Sequence, residues 1–552
     1  MKQKLSKILK DSLDLCFREG SLKQMPVPEF VVEVPNNPDH GHFATNLPMT
    51  LAGEQKSTPR DIAEIIIRHL VDHDHFILKA EIGGAGFINF FVAPGHWYDL
   101  LSRVINLRHD YGRSSIGKGE KIMVEFVSAN PTGPLHLGHG RGAALGDSLC
   151  RVLDFSGYDV RREFYINDAG QQVKMLGESI YSRWRQLSEP SYSFPPDGYQ
   201  GDYIQELALE IAKEKELGNL APHEAVDLLS ELGRDKILKE IKKDLANFRV
   251  TFDLWYKESD LYSSGKIDHT MKLIEKRGMV FERGGALWIR TSLFGDDKDR
   301  VVRKKDGEFT YFASDISYHL DKWKRGFQRV VNIWGADHHG YITRVKAALE
   351  AEGIPRDWLA VLLIQLVKLW EGGAEVKMSK RSGRYVTLKE LVDEVGVDAV
   401  RFVFLSKDHT SPIDFDIDLV KRKDSENPVY YVQYAHARVC SLFRKAAKEN
   451  IHLPEEPDSV LQRLVLDEEI ALIRKMAEFP SIIEEIAGDF GPHRLTYYLT
   501  ELAGGFHRYY NRHRIVSNDR TLSQARLFLS LGVKILVKNG LSLLGVSAPE
   551  VM

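Results

Sequence analysis

Two histidines, His136 and His139, lie three positions apart in the run Pro131-Thr132-Gly133-Pro134-Leu135-His136-Leu137-Gly138-His139-Gly140. At the first turn of a helix, that spacing puts both imidazoles on one side. A helix start also offers unpaired N–H groups and the positive end of the helix dipole to an anion. Gly138, between the histidines, removes a side chain where a flat adenine would approach the backbone. The combination suits ATP, with the imidazoles directed at its phosphates. Gly133, His136, Gly138 and His139 are the expected contacts.

A second cationic stretch is Val376-Lys377-Met378-Ser379-Lys380-Arg381-Ser382-Gly383, preceded by Gly372-Gly373. Such a loop can swing over a triphosphate and set the Lys377 and Lys380 ammonium groups on its outer oxygens, with Met378 and Ser379 beside the nucleotide. It is not a Walker A loop, which carries a single lysine in a different frame. Alone, the first motif is two surface histidines and the second a solvated basic loop. Together, in this order, they point to one nucleotide site.

Both motifs need a frame. Ile122 to Val127 is a short apolar run of the kind found in strands buried on both faces. A Gly/Pro-rich loop follows from Asn130 to Gly140, and helical spacing runs from Arg141 to Phe155. Strand, glycine-rich loop and helix form the opening unit of a nucleotide-binding α/β sheet. Further strands are predicted at Arg329 to Trp334 and Ala360 to Ile364, with an irregular insertion at Ser188 to Tyr203. Before this lies an α+β region. There Thr58-Pro59-Arg60-Asp61 reads as a capped helix start, and Gly83-Gly84-Ala85-Gly86 as a turn into a strand at Phe87 to Phe91. Beyond about residue 420 the apolar positions keep helical spacing (Leu466, Ile470, Ile473; Leu499, Leu502, Phe506), which predicts a bundle.

At 552 residues the chain calls for several domains. Its net charge of −3 excludes a uniformly basic nucleic-acid binder but not a local basic face. Cys16, Cys150 and Cys440 are too dispersed for a disulfide framework or a cysteine-rich zinc site, which suits a reducing compartment. Met1 to Glu19 mixes charge with leucine and isoleucine, unlike a secretory leader, and no run reaches the ~20 apolar residues a bilayer requires. A cytoplasmic protein without membrane attachment is expected.

His136-Leu137-Gly138-His139 and Lys377-Met378-Ser379-Lys380-Arg381 resemble the HIGH and KMSKS motifs of class I aminoacyl-tRNA synthetases. Arg381 stands where the generic motif ends in serine. Four further segments are similar to the arginyl-tRNA synthetases of bacterial type: Val124 to Pro134, Phe309 to Tyr318, Trp334 to His339, and Asn427 to Arg438. Many members of that family lose the second lysine of the loop, whereas Lys380 is present here.

The resemblance implies a multidomain α/β protein. Its expected parts are an N-terminal α+β domain at 1–112 for the tRNA elbow, a Rossmann-type catalytic domain at 113–395 with an insertion at about 176–265, a stem-contacting segment at 396–420, and an all-α anticodon-binding bundle at 421–552. It implies ATP with Mg2+, L-arginine and tRNA(Arg) as partners, acting on a monomer, with His136, His139, Lys377 and Lys380 as catalytic groups.

A guanidinium is a planar fork of donors best met by carboxylates. Glu125 falls near the end of one predicted strand, Asp337 just past another, and Asp315 between. By resemblance Tyr311 and Asp315 meet the guanidinium, Glu125, Ser128 and Asn130 hold the amino-acid end, and Asp337 joins the pocket. For RNA, His507-Arg508-Tyr509-Tyr510-Asn511-Arg512 interleaves rings and cations. Arg508, Arg512, Tyr434 and Arg438 are the expected contacts there, with Phe87 and Asn89 at the elbow.

Rival readings fit less well. A small nucleotidylyltransferase has no use for the C-terminal helices or the second loop. A cysteine-specific synthetase would show a Cys/His zinc cluster, and a glutamate-specific one a basic pocket. A non-catalytic RNA-binding relative would not need both histidines and both lysines.

Overall fold

The computed structural model describes every residue except Asn36, Ala169 and 377–385. The chain forms two compact units. The first gathers Met1–Tyr111, Val439–Glu478 and Gly505–Ile535; the second gathers Gly112–Arg438, Phe479–Gly504 and Leu536–Met552.

In the first unit a four-stranded antiparallel sheet runs in the order Val32–Glu33, Phe43–Thr45, Phe87–Val92, Ile77–Gly83. The Lys2–Arg18 and Pro59–Arg68 helices bury Leu5, Leu9, Leu13, Ile62 and Ile66. The predicted start at Thr58 holds: its side chain accepts from the Asp61 amide, with Pro59 in the first turn. The later segments of this unit are fastened by polar contacts as well as by packing. Tyr98 donates to the Leu464 carbonyl and Ser102 to Asp458.

The second unit is built on a five-stranded parallel sheet in the order Leu359–Ile364, Arg329–Gly335, Lys121–Glu125, Asp159–Ile166, Leu254–Lys257. The first strand in sequence is central, and the chain winds outward from it on both sides. Such an order creates a switch point between the Lys121–Glu125 and Arg329–Gly335 strands, where open α/β sheets take their ligands at the carboxyl ends. Ile122, Met123 and Val124 are buried, as an apolar run in a central parallel strand requires.

The Leu254–Lys257 strand lies inside the stretch expected as an insertion but belongs to the main sheet. The inserted material is the helices Gln171–Gln186, Asp202–Glu214 and Pro222–Asn247 that precede it.

The helix after the first strand begins at Leu137, four residues earlier than its apolar spacing indicates. Gly138, Gly140 and Gly142 blank the periodicity in its opening turns. Neighbours come close there: a Cβ would lie 2.6 Å from the Leu388 side chain at Gly140 and 2.9 Å from that of Ile364 at Gly142. Polar anchors fix this helix along its length. Arg141, 1% exposed, donates to the carbonyls of Gln365 and Asp408. Asp147 pairs with the fully buried Arg401, which also donates to the carbonyls of Phe248 and Leu544. Two smaller sheets complete the unit. One is antiparallel, of Val280–Arg283, Ala286–Ile289 and Arg300–Arg303; the other joins Val367–Glu371 to Ala374–Glu375 and Ile413–Asp416.

Candidate active site

At the N-terminus of the Leu137–Phe155 helix the two imidazoles lie face to face, centroids 3.6 Å apart and planes 16° from parallel. His136 Nδ1 accepts from the His139 amide and His139 Nδ1 accepts from the His136 amide, both at 3.3 Å. With Nδ1 serving as acceptor in both rings, Nε2 is the nitrogen left to carry a proton. The pair therefore caps the helix and fixes its own tautomer.

Lys377, Met378, Ser379 and Lys380 lie outside the described residues. Their C-terminal flank does not: Thr387 forms an isolated antiparallel bridge with His136, and the Leu388 amide donates to the Leu135 carbonyl at 2.8 Å. Residues that follow the second motif are thus paired with residues of the first.

At the switch point, Glu125 is buried at 5% exposure, 2.5 Å from the ammonium of Lys322, which has no exposed surface. Ser128 donates to Glu125 at 3.0 Å and receives the Tyr165 amide, while Lys322 also donates to Asn332, which contacts His319. Val127 and Ser128 take positive φ values, a strained turn that ends the strand and brings the serine back onto the carboxylate.

Asp315 projects from the Tyr311–Lys324 helix and receives a hydrogen bond from the Tyr341 hydroxyl. Burial lifts its carboxyl to about 6; the Tyr341 bond opposes the rise and the charge of Glu125 adds to it. Tyr311, at the same helix start, is 61% exposed. Its hydroxyl lies 3.1 Å from where a Cβ on Gly170 would stand. Asn130 is exposed and donates to Gln172 at 2.7 Å. The Asp337 side chain is 83% exposed beside His338, so it stands apart from the buried group.

The matches to known proteins agree along the whole chain. The family described as class I (R) tRNA synthetase catalytic domain matches residues 102–414, the arginyl tRNA synthetase N terminal domain 2–92, and the DALR anticodon binding domain 432–552. The arginine–tRNA ligase of Desulfosudis oleivorans is 50% identical over 556 residues, covering 100% of both chains. That of Aquifex aeolicus is 45% identical, covering 100% of this chain and 99% of its own. The chain belongs to the arginine–tRNA ligase family. The Thermus thermophilus arginyl-tRNA synthetase structure, 23% identical, covers both chains fully at a TM-score of 0.77 and attests the fold.

A buried carboxylate beside Asp315 that sequence reasoning missed is Glu258. It follows the Leu254–Lys257 strand, is 3% exposed, and has its carboxyl lifted to about 7 by burial and by the charges of Asp315 and Asp168. Asp168 itself is held by the Ser259 amide and hydroxyl. The signal was present in a carboxylate directly after an aromatic strand, Leu254-Trp255-Tyr256-Lys257, but it was hidden by reading that stretch as insertion. Lys322 was missed too, because a lysine late in a helix ordinarily reads as solvated.

The candidate RNA contacts fall in both units. In the second, Tyr434 stacks on Tyr430 (5.7 Å, 13°) with the Arg438 guanidinium 4.5 Å above it. In the first, Arg508 is exposed, and Arg512 is exposed and paired with Glu468 at 3.5 Å. Tyr509, between them, is core, donating to Glu469. Phe87 is half-buried, while Asn89, on the same strand, is buried at 7% exposure. Among the described residues no helix is long and apolar enough to cross a membrane.

Proposed function

We propose that the chain ligates L-arginine to tRNA(Arg) at the expense of ATP through an arginyl-adenylate, releasing AMP and pyrophosphate. The observation that carries this is the juxtaposition of two carboxylates, the half-buried Asp315 and the buried Glu258, beside the sheet whose first helix presents the His136–His139 pair. One side suits a guanidinium and the other a polyphosphate.

In the first step an oxygen of the arginine carboxylate attacks the α-phosphorus of ATP, and the bond to the β-phosphate oxygen breaks, with pyrophosphate carrying away the electron pair. In the second, a ribose hydroxyl of the terminal adenosine of tRNA attacks the acyl carbon. AMP leaves, and the hydroxyl proton is lost to solvent or phosphate. Positioning and stabilisation of charge carry such a reaction.

His136 and His139 donate through Nε2 to phosphate oxygens, and Lys377 and Lys380 close from the opposite side. Gly133, Gly138, Met378 and Ser379 line the nucleotide. Asp315, Glu258 and Tyr311 take the guanidinium, and Glu125, Ser128 and Asn130 the amino-acid end. Among the described residues no group of three or more His, Cys, Asp or Glu side chains is placed to hold a metal. Mg2+ belongs with the ATP as part of that substrate.

Residues 1–112 serve the tRNA elbow, 396–420 the acceptor stem, and 421–552 the anticodon, in a cytoplasmic monomer. The test is ATP–pyrophosphate exchange with each amino acid, with and without tRNA(Arg). Exchange dependent on arginine supports the reading; exchange with another amino acid, or with none, overturns it.

A further inference from the structure

We infer that Tyr203, carried by the helical insertion, is a positioning residue for the nucleotide: its hydrogen bond to the Thr132 carbonyl sets the loop that leads to the histidine pair. This rests on the nucleotide site proposed above. From Phe126 to Leu135 the chain has neither helix nor strand, so its backbone groups must find partners elsewhere. Within the loop the Thr132 amide donates to the Asn130 carbonyl at 2.8 Å, and at its end the Leu135 carbonyl accepts from Leu388. The middle is held from the insertion. The Tyr203 hydroxyl donates to the Thr132 carbonyl at 2.8 Å, and Gln172 accepts from Asn130 at 2.7 Å.

Both contacts come from one platform. Gln172 lies in the first turn of the Gln171–Gln186 helix. Further along that helix the buried Ser179 hydroxyl accepts from the Tyr199 amide at 3.0 Å and donates to the Met175 carbonyl. From Tyr199 the chain passes through Gly201 to Tyr203, at the start of the Asp202–Glu214 helix. A Cβ on Gly201 would lie 2.5 Å from the Tyr203 ring, so glycine there lets the ring fold back along its own chain. The platform is closely packed: a Cβ on Gly177 would overlap Ser230, and one on Gly233 would overlap Ile180, where the Gln171–Gln186 and Pro222–Asn247 helices meet.

A trans peptide sets its C=O and N–H on opposite sides. With the Thr132 carbonyl turned to Tyr203, the Gly133 amide faces away from it, and among the described residues that amide has no hydrogen-bond partner. A half-buried backbone donor without a partner, in the run that leads to His136, fits an acceptor oxygen of the nucleotide. Tyr203 thus acts through the aim of the Thr132–Gly133 peptide and not by touching ATP.

The experiment measures arginine-dependent pyrophosphate exchange at varied ATP, with tRNA(Arg) present, for wild type, Tyr203→Phe and Lys236→Ala. Tyr203→Phe removes one oxygen and keeps the ring. Lys236 ties the Asp202–Glu214 helix to Pro222–Asn247 through Glu210 and Glu214, so its variant loosens the platform but leaves the hydroxyl in place. For Tyr203→Phe, kcat/KM for ATP is expected to fall about tenfold. Its arginine affinity by calorimetry, and the ATP kinetics of Lys236→Ala, should stay within about twofold of wild type. Unchanged ATP kinetics in Tyr203→Phe, equal losses for ATP and arginine, or the same loss in Lys236→Ala overturns the assignment. A wild-type chain without arginine-dependent exchange would sink the underlying reading instead.

Discussion

The carboxyls of Glu258 and Asp315, lifted to about 7 and about 6, make arginine affinity depend on pH in a range where free arginine does not titrate. A guanidinium is best met by ionised carboxylates, so binding must strip whatever protons these groups hold. For a carboxyl near 7, the penalty factor 1 + 10^(7 − pH) grows from about 1.1 at pH 8 to about 11 at pH 6. For one near 6 it grows from about 1 to about 2. Wild-type arginine affinity should therefore fall about 20-fold between pH 8 and pH 6, about three quarters of that on the logarithmic scale lying below neutrality. Glu258→Gln removes the larger factor. Its affinity should be lower throughout, by about 10- to 100-fold for a lost charged hydrogen bond, and its remaining pH dependence no more than about twofold. Titration calorimetry in two buffers of different ionisation heat reads both the affinity and the protons released. The sign for stability is opposite. Both folded values lie above the usual ones, so the stability these groups contribute is fully present near pH 4 and is lost as pH rises through about 6 and 7. Arginine at saturation should cancel that loss in a thermal melt. A wild-type affinity flat from pH 6 to 8, or a Glu258→Gln variant that keeps the full slope, would refute the reasoning.

Three other perturbations test separate parts of the site. His139→Ala removes one member of the stacked pair and a phosphate donor, and should slow arginine-dependent pyrophosphate exchange by about 10²–10³ while leaving arginine affinity unchanged; near-normal exchange would reject the role. Lys322→Met strands the buried Glu125 carboxylate and should cost about 3–5 kcal/mol in denaturant unfolding, much of it recovered by Glu125→Gln in the same chain; additive losses would show that the two do not act as a pair. Arg512→Glu should weaken tRNA(Arg) binding and lower the slope of log affinity against log salt by about one, read by anisotropy at several salt concentrations.

What the sequence disclosed, and what it hid, divides along the range of the interactions involved. The Thr58 cap, the Phe87 strand and the Ile122–Val124 strand are local matters of capping chemistry and apolar pattern, and each stands where its residues indicate. The start of the Leu137–Phe155 helix was obscured because glycines that serve close packing carry no periodic signal. The Leu254–Lys257 strand has four residues, too few for a pattern, and acquires its identity only by pairing with Asp159–Ile166. In the RNA-directed segment the alternation of rings and cations was visible, but burial separates them: Tyr509 is interior and Arg508 and Arg512 are outside. Lys322 is the extreme case. Nothing in Leu320-Asp321-Lys322-Trp323 distinguishes it from a solvated lysine until the fold lays it beneath Glu125.

That concealed lysine also bears on how the site can select one cation among several. Four carboxylates converge around the switch point, and they are not equivalent. Glu163 is held by Arg325 in a bidentate pair and by the Tyr318 hydroxyl, and Glu125 by Lys322 and Ser128. Their charges are balanced before any ligand arrives, so they orient neighbours and accept hydrogen bonds without adding to the attraction for a bulk cation. Asp315 and Glu258 are instead held high in pKa, by burial and by neighbouring negative charge. Under the proposed assignment these are the two carboxylates that face the guanidinium. A guanidinium, with donors in a fixed planar fork, can meet two separated carboxylates at once, whereas an ammonium on a flexible stem meets them as a single point. If Lys322 were neutral, the charge of Glu125 would be unbalanced and the pocket would attract any cation that entered. The buried lysine thus does for specificity what no residue in contact with arginine can do by itself: it removes attraction from the places where the shape of the ligand is not being read.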